Sequence, residues 1–172
     1  MKVNSLLLLV LLNMLISPVI AQERRVIPTP QDEVTQSDIV RAVRSPNPTP
    51  VLSSSPSDYK KYEILLLFEK NSSELSYGAM AALDELGQAL NDELAIYDVV
   101  IEGHADRSGT YELNQWLSRA RAESVRKYLM QRHGIVKNRL SSIGKGYDEL
   151  FDVKNPTSKR NRRVSFVFIN RD

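Results

Sequence analysis

No cysteine occurs among the 172 residues. That absence excludes disulfide staples, a thiol nucleophile, cysteine-ligated zinc or iron–sulfur sites, and lipidation through an N-terminal cysteine. Histidine is almost as scarce. His104 and His133 are the only two, too few for a histidine-rich metal centre. An excess of one charge is missing as well, since 23 basic side chains stand against 21 acidic ones for a net charge of +2. A nucleic-acid binder needs a large, clustered basic surplus. The one basic run, Lys159-Arg160-Asn161-Arg162-Arg163, does not supply it. Nothing in the sequence repeats, and the only long hydrophobic run is at the N-terminus.

That run reads as a secretory signal over residues 1–21. Lys2 provides a short positive start, Leu6 to Ile16 form an apolar core interrupted by Asn13, and Pro18 precedes Val19-Ile20-Ala21, where compact residues suit signal peptidase. About 11 apolar residues are too few to cross a bilayer core of ~30 Å as a helix. Cleavage after Ala21 removes Lys2 and takes the net charge from +2 to +1. The product is then an exported protein with no direct membrane insertion. Retained, the same segment would tether the chain to the inner membrane.

Residues 22–57 are expected to form a linker arm. They hold six of the eight prolines and no glycine, and they end in the polar run Ser53-Ser54-Ser55-Pro56-Ser57. Proline removes a donor and fixes φ, so neither a sheet nor a long helix is expected. One island stands out: Ser37 could cap a short helix with Ile39, Val40 and Val43 on one face. Such a stripe would dock on the domain or on a partner, or it would be a transient turn.

From Asp58 the texture changes, and residues 58–172 read as one domain containing all seven glycines. Glu63 to Phe68 is a near-continuous apolar run, the pattern of a strand buried on both faces. Ala79, Leu83, Leu86 and Leu90 recur at helical spacing. Tyr97 to Glu102 is a second strand ended by Gly103. A long helix follows from about Tyr111 to Arg132, with Leu117, Ala122, Val125 and Leu129 on its inner side and His133-Gly134 as its stop. Arg139 to Ile143 and Arg163 to Ile169 complete four strands. The order strand, helix, strand, helix, strand, strand predicts an α/β sandwich, with a mixed four-stranded sheet and helices on one face.

The chemistry gathers between Glu102 and Arg121. Asp106 falls on a loop beside a helix N-terminus, and Arg121 lies about three turns into that helix. An acid and a base held a few ångströms apart and partly exposed would suit a zwitterionic ligand, the carboxylate accepting from an ammonium and the guanidinium clamping a carboxylate. The bland alternative is that the two simply pair with each other, worth ~0–1 kcal/mol at a surface. His104 invites a metal or general-base reading, but no second ligand lies at metal spacing. A histidine bonded to nearby backbone is the expectation, with no metal. Trp116, with no aromatic partners in sequence reach, is expected in the core or at its rim.

Gly103-His104-Ala105-Asp106 and Gly109, then Asn114 with Leu117-Ser118, then Arg121-Ala122 with Val125, resemble the signature of the OmpA-like, peptidoglycan-associated domain family. Tyr128-Leu129, Gly134-Ile135, Arg139-Leu140, Gly144, Gly146 and Asn161-Arg162-Arg163-Val164 fit its later landmarks, so the resemblance runs over about residues 60–170. It implies the OmpA-like β-α-β-α-β-β fold and non-catalytic binding of peptidoglycan in the periplasm. Asp106 and Arg121 would hold the free amino-acid centre of diaminopimelate in the stem peptide. Asn114 would add an amide contact or hold the loop. Where the family usually shows Phe-Asp-Phe followed by an acid or amide, this chain has Phe68-Glu69-Lys70-Asn71. Lys70 and Asn71 therefore contribute through main-chain N–H groups. Strand alternation would point one of Arg162 and Arg163 to the groove and the other to solvent.

The implied partner is peptidoglycan, with no cofactor and no nucleic acid, and with outer-membrane association through a protein. The alternative function is that of an interaction subunit of an envelope machine, recruiting a protein partner through residues 22–57. A wall-modifying enzyme has little support: no Ser-His-Asp spacing, no thiol, and in Glu102 and Asp106 a poor acid/base pair.

Overall fold

A computed structural model describes residues 26–27, 35–44, 59–64 and 66–171. The expected leader and most of the arm lie outside these residues. In chain order the elements are β1 (Val26–Ile27), α1 (Gln36–Arg44), β2 (Tyr59–Ile64), α2 (Tyr77–Asn91), β3 (Tyr97–Gly103), α3 (Tyr111–His133), β4 (Leu140–Gly144) and β5 (Val164–Asn170), with 3-10 turns at Lys137–Arg139 and Lys159–Asn161. From β2 onward this is the anticipated β-α-β-α-β-β order. Among the described residues the sheet has five strands rather than four, in the order β1-β2-β5-β3-β4. β5 runs antiparallel to both its neighbours, while β3–β4 and β1–β2 are parallel pairs.

Both long helices begin and end where their caps dictate. The Ser76 hydroxyl accepts from Ala79 N–H at 3.1 Å to open α2, and Thr110 accepts from Leu113 N–H at 3.2 Å to open α3. Gly134, in the left-handed region at φ 66°, closes α3. Leu83, Leu86 and Leu90 of α2 and Ala122, Val125 and Leu129 of α3 are fully buried against Val99, Ile101, Phe166 and Phe168 of the sheet. Asp84 ties the two helices together, accepting from Tyr128 Oη at 2.9 Å and pairing with His133 Nε2 at 2.7 Å. The helices cover one face; on the other, Ile143 and Ile169 remain part-exposed.

Two expectations shift. The first strand lies at Tyr59–Ile64, not Glu63–Phe68. Its register with β5 runs from Tyr59↔Ile169 to Tyr62↔Phe166; continued, it sets Ile64 opposite Val164, where β5 begins. The pairing partner runs out there. Leu66 and Phe68 are buried as the apolar run implied, but in irregular chain. The second concerns the linker arm. Within residues 22–57, Ile39 and Val43 of α1 are fully buried in the main core beside Leu83 and Leu90. Gln36 N–H donates to Glu85 Oε2 at 2.7 Å, and Arg44 Nη2 donates to Glu93 O at 2.7 Å. The stripe docks on the domain itself.

Candidate ligand-binding site

The site begins where β3 ends. A side chain at Gly103 would bring its Cβ to 1.9 Å from Ser118 O, so only glycine lets α3 lie this close across the strand end. The loop that follows is fixed by three separate segments: His104 N–H donates to Arg163 O at 2.9 Å, Ala105 N–H to Gly146 O at 2.7 Å, and Arg107 N–H to Pro156 O at 2.9 Å. Asp106 is thereby held in place by backbone on both sides.

Asp106 is only 3% exposed. Its Oδ1 accepts from Ser108 N–H at 2.9 Å and from the Ser108 hydroxyl. Its Oδ2 accepts from Arg162 Nη1 at 2.8 Å. Burial works to raise the carboxyl's pKa, but the Ser108 hydroxyl, the Arg162 bond and the Ser108 amide outweigh it, and the pKa falls below the usual aspartate value. The group is an anion at neutral pH.

Arg121 is 1% exposed, so neither member of the expected clamp is partly exposed. Its Nε donates to Ser72 O at 2.9 Å, Nη1 to His104 O at 3.2 Å and Nη2 to Glu69 O at 3.2 Å, with the guanidinium 5.4 Å from the centre of the Phe68 ring. These bonds take three of the five N–H donors of a guanidinium. Burial first, and then the neighbouring Arg162, push its pKa down to about 10, against the opposing pull of Asp106. It stays charged at neutral pH. The direct partner of Asp106 is Arg162, not Arg121.

Arg162 is the hinge of the constellation. Its Nε donates to Phe68 O at 3.0 Å while Phe68 N–H donates back to Arg162 O at 3.3 Å. One guanidinium thus joins Asp106 to the 68–72 loop. Arg163, expected in solvent if Arg162 faced the groove, is fully buried instead. Its Nη1 donates to Glu149 O at 3.2 Å, and it lies 5.6 Å from the centre of the Phe151 ring. The segment between β4 and β5 lies against Arg163 and covers it. Lys70 and Asn71 are exposed on the loop above Arg121. Asn71 adopts φ 57°, a left-handed conformation that asparagine tolerates. Asn114 is buried and donates from Nδ2 to Ser108 O at 2.9 Å, so it holds the loop.

Three residues have structural roles that the sequence reading did not assign. Ser108 completes an Asx-type turn on Asp106, and the Asp-x-Ser spacing was the available signal. Ser118 accepts from Gly146 N–H at 2.9 Å. Buried Asn161 organises the 152–156 loop, donating from Nδ2 to Asn155 O at 3.0 Å and accepting on Oδ1 from Asp152 N–H at 2.7 Å. Trp116 is in neither core nor rim but 64% exposed.

His104 Nε2 lies 3.2 Å from Ser165 Oγ, a side-chain contact rather than a backbone one. Glu102, His104 and Glu149 place donor atoms within 4.8 Å of one another, which the sequence spacing did not reveal. The Lys145 ammonium lies 3.5 Å from Glu102 and 3.0 Å from Glu149, so these carboxylates have a built-in counter-cation. Among the described residues no helix is long and apolar enough to cross a membrane.

Known proteins resemble this arrangement. The model of the OmpA family matches residues 67–163. The peptidoglycan-associated lipoprotein of Rhizobium meliloti is 36% identical over 104 residues, covering 59% of this chain and 58% of that protein. The chain thus spans little more than half the length of this curated relative. The crystal structure of the peptidoglycan-associated lipoprotein from Burkholderia pseudomallei is similar with a TM-score of 0.53 at 25% identity, over 60% of this chain and 87% of that one. The OmpA-like domain of FopA1 from Francisella tularensis gives 0.57 at 20% identity, over 68% and 78%, a likeness of fold.

Proposed function

The chain belongs to the OmpA family, and from that premise we propose that its domain is a non-catalytic binding module for diaminopimelate-type peptidoglycan. In this reading the leader exports it to the periplasm, and it anchors itself or a partner complex to the cell wall. The observation that carries the reading is Asp106, kept ionised in a buried niche and flanked by two guanidinium groups that each also hold the 68–72 loop. That is a zwitterion receptor with its own arginine occupying the place of the ligand's ammonium.

Binding follows from exchange. The ammonium of a diaminopimelate centre replaces Arg162 on Asp106 Oδ2. Arg162, released, turns its fork to the ligand carboxylate beside Arg121, whose remaining N–H donors add to the clamp. Main-chain N–H groups at Lys70 and Asn71 close over the peptide. Each charge-assisted bond contributes ~1.5–3 kcal/mol, so one stem peptide binds modestly and retention comes from rebinding to a dense polymer. The arm's apolar stripe is spent on the domain's own core, which favours the wall over an arm-borne partner as the primary ligand.

Co-sedimentation with purified diaminopimelate-type sacculi tests this, using the chain recovered from the envelope of expressing cells. Wild type pellets, and Asp106→Asn, which keeps the shape and loses the charge, weakens binding by about tenfold or more. Wild type remaining in the supernatant, or Asp106→Asn pelleting equally, overturns the reading. Release of soluble muropeptides would make the protein an enzyme instead.

A further inference from the structure

The two edges of the sheet are treated differently. At one end of the strand order β1 covers β2, whereas β4 ends the other with no described strand beside it. A bare edge offers a row of main-chain groups to any extended segment. β4 pairs in parallel with β3 from Val99↔Leu140 to Gly103↔Gly144, so alternate residues turn their N–H and C=O groups outward. Two bonds fix the phase. Lys145 N–H donates to Gly103 O at 2.9 Å, facing β3, while Leu140 O accepts from Arg126 Nε at 3.0 Å, facing away. Ser142 and Gly144 share the phase of Leu140 and present their main chain outward.

Two grooves follow this edge, between β4 and the outer side of α3, and meet at Ser142. One, of about 470 Å³, is walled by Trp116, Arg119 and Ile143. The other, of about 620 Å³, is walled by Arg126 and Lys137. The first is bordered by the exposed ring of Trp116, at 64%, with Ile143 at 38% along the same edge. The charge along both is basic. The facing acid, Glu123, already accepts from Arg126 Nη1 at 3.3 Å and from Ser142 Oγ at 2.8 Å.

We propose that the free edge of β4 is a strand-addition site for an extended acidic segment of a partner protein, with an apolar side chain of that segment seated against Trp116 on the helix side of the edge. Main-chain bonds to Ser142 and Gly144 supply affinity, and Arg119 and Lys137 supply selectivity for acidic sequence. A second copy of this chain fits poorly. Two-fold pairing of β4 with itself brings the Arg119 end of one copy against the Lys137 end of the other, cation facing cation. The chain's own α1 and β1 are fastened at the opposite side, against α2 and β2.

The probe is a short fluorescent peptide of alternating glutamate and valine, with its lysine–valine counterpart as control, titrated into the full chain. The glutamate peptide is expected to bind about tenfold tighter than the lysine peptide and to weaken as salt rises. Hydrogen exchange at the Ser142 and Gly144 amides is expected to slow on binding. Ser142→Pro removes an N–H that the fold leaves facing outward, a position where an edge strand tolerates proline, and should abolish binding. Arg119→Glu, on the exposed side of α3, should weaken it about fivefold without touching the fold. All these variants should still bind sacculi as wild type does, which separates this surface from the Asp106 site. Equal binding of the two peptides, no binding of either, or undiminished binding by folded Arg119→Glu or Ser142→Pro overturns the proposal. So does a dimer of the chain that Ser142→Pro dissolves, which would make the occupant a second copy.

Discussion

Arg121 illustrates how a residue can be legible in identity and hidden in its surroundings. Its place on α3 follows from helical spacing, and its charge marks it for an anionic ligand. What the sequence does not carry is that three carbonyls from two distant segments, Glu69 and Ser72 on one side and His104 on the other, converge on it. Those contacts come from residues 17 to 52 positions away. Truncation should therefore damage the fold as well as the site. Arg121→Ala strands one buried and two part-buried acceptors and is expected to cost ~3 kcal/mol or more in denaturant unfolding. Arg121→Lys, a point charge in place of a fork, should recover only part of that. Asp106 makes a different prediction. Its folded pKa lies below the ordinary value, so the stabilisation it provides is fully present above the unfolded pKa of ~3.9 and is lost as pH falls through the folded value. Unfolding free energies measured from neutral pH down to about pH 3 should converge for wild type and Asp106→Asn. A gap that stays constant with pH would mean the charge adds nothing to stability.

At the scale of elements, the helices were readable and one strand was misplaced, for a physical reason. A helix closes its hydrogen bonds within itself, so the stripe Leu83, Leu86, Leu90, the caps Ser76 and Thr110 and the stop at Gly134 all lie within the segment they define. A strand closes its bonds on another segment, and β2 stops where β5 runs out of register, information about a hundred residues downstream. Hence the apolar run at Leu66 and Phe68 reported burial correctly and pairing wrongly. The helix–sheet contact rests on glycine: Gly103→Ala sets a Cβ against the Ser118 carbonyl, backbone on both sides. It should cost ~3 kcal/mol and loosen the 104–110 loop, seen as a lowered melting temperature together with weakened sacculus binding. In α1, Ile39→Ala should cost ~1–3 kcal/mol, bounded by the net worth of docking the helix, in a stretch whose proline content reads as linker. An unchanged denaturation midpoint would return α1 to the status of a transient turn.

For the whole molecule the consequence is that the domain does not start where its composition changes. The proline-rich texture ends near Asp58, yet α1 and β1 upstream of it close one side of the core and one edge of the sheet. The proposed ligand site lies elsewhere: Asp106, Arg121 and Arg162 take their bonds from residues 68–72, 104–108 and each other. Stability and wall binding should therefore separate on truncation. Two fully buried side chains, Ile39 and Val43, are worth ~1.5–3 kcal/mol each, against which ordering a nine-residue helix costs a large part in backbone entropy. A net loss of ~1–3 kcal/mol would lower the melting temperature by about 10 °C for a domain of this size. A chain beginning at Asp58 is expected to show that drop against one beginning at Gln22, while the fraction bound to sacculi, measured well below both melting temperatures, stays the same. Equal melting temperatures would make the packing of α1 energetically idle. Lost wall binding at a temperature where the truncated chain is folded would place part of the ligand site in the arm, against the geometry of Asp106 and its two arginines.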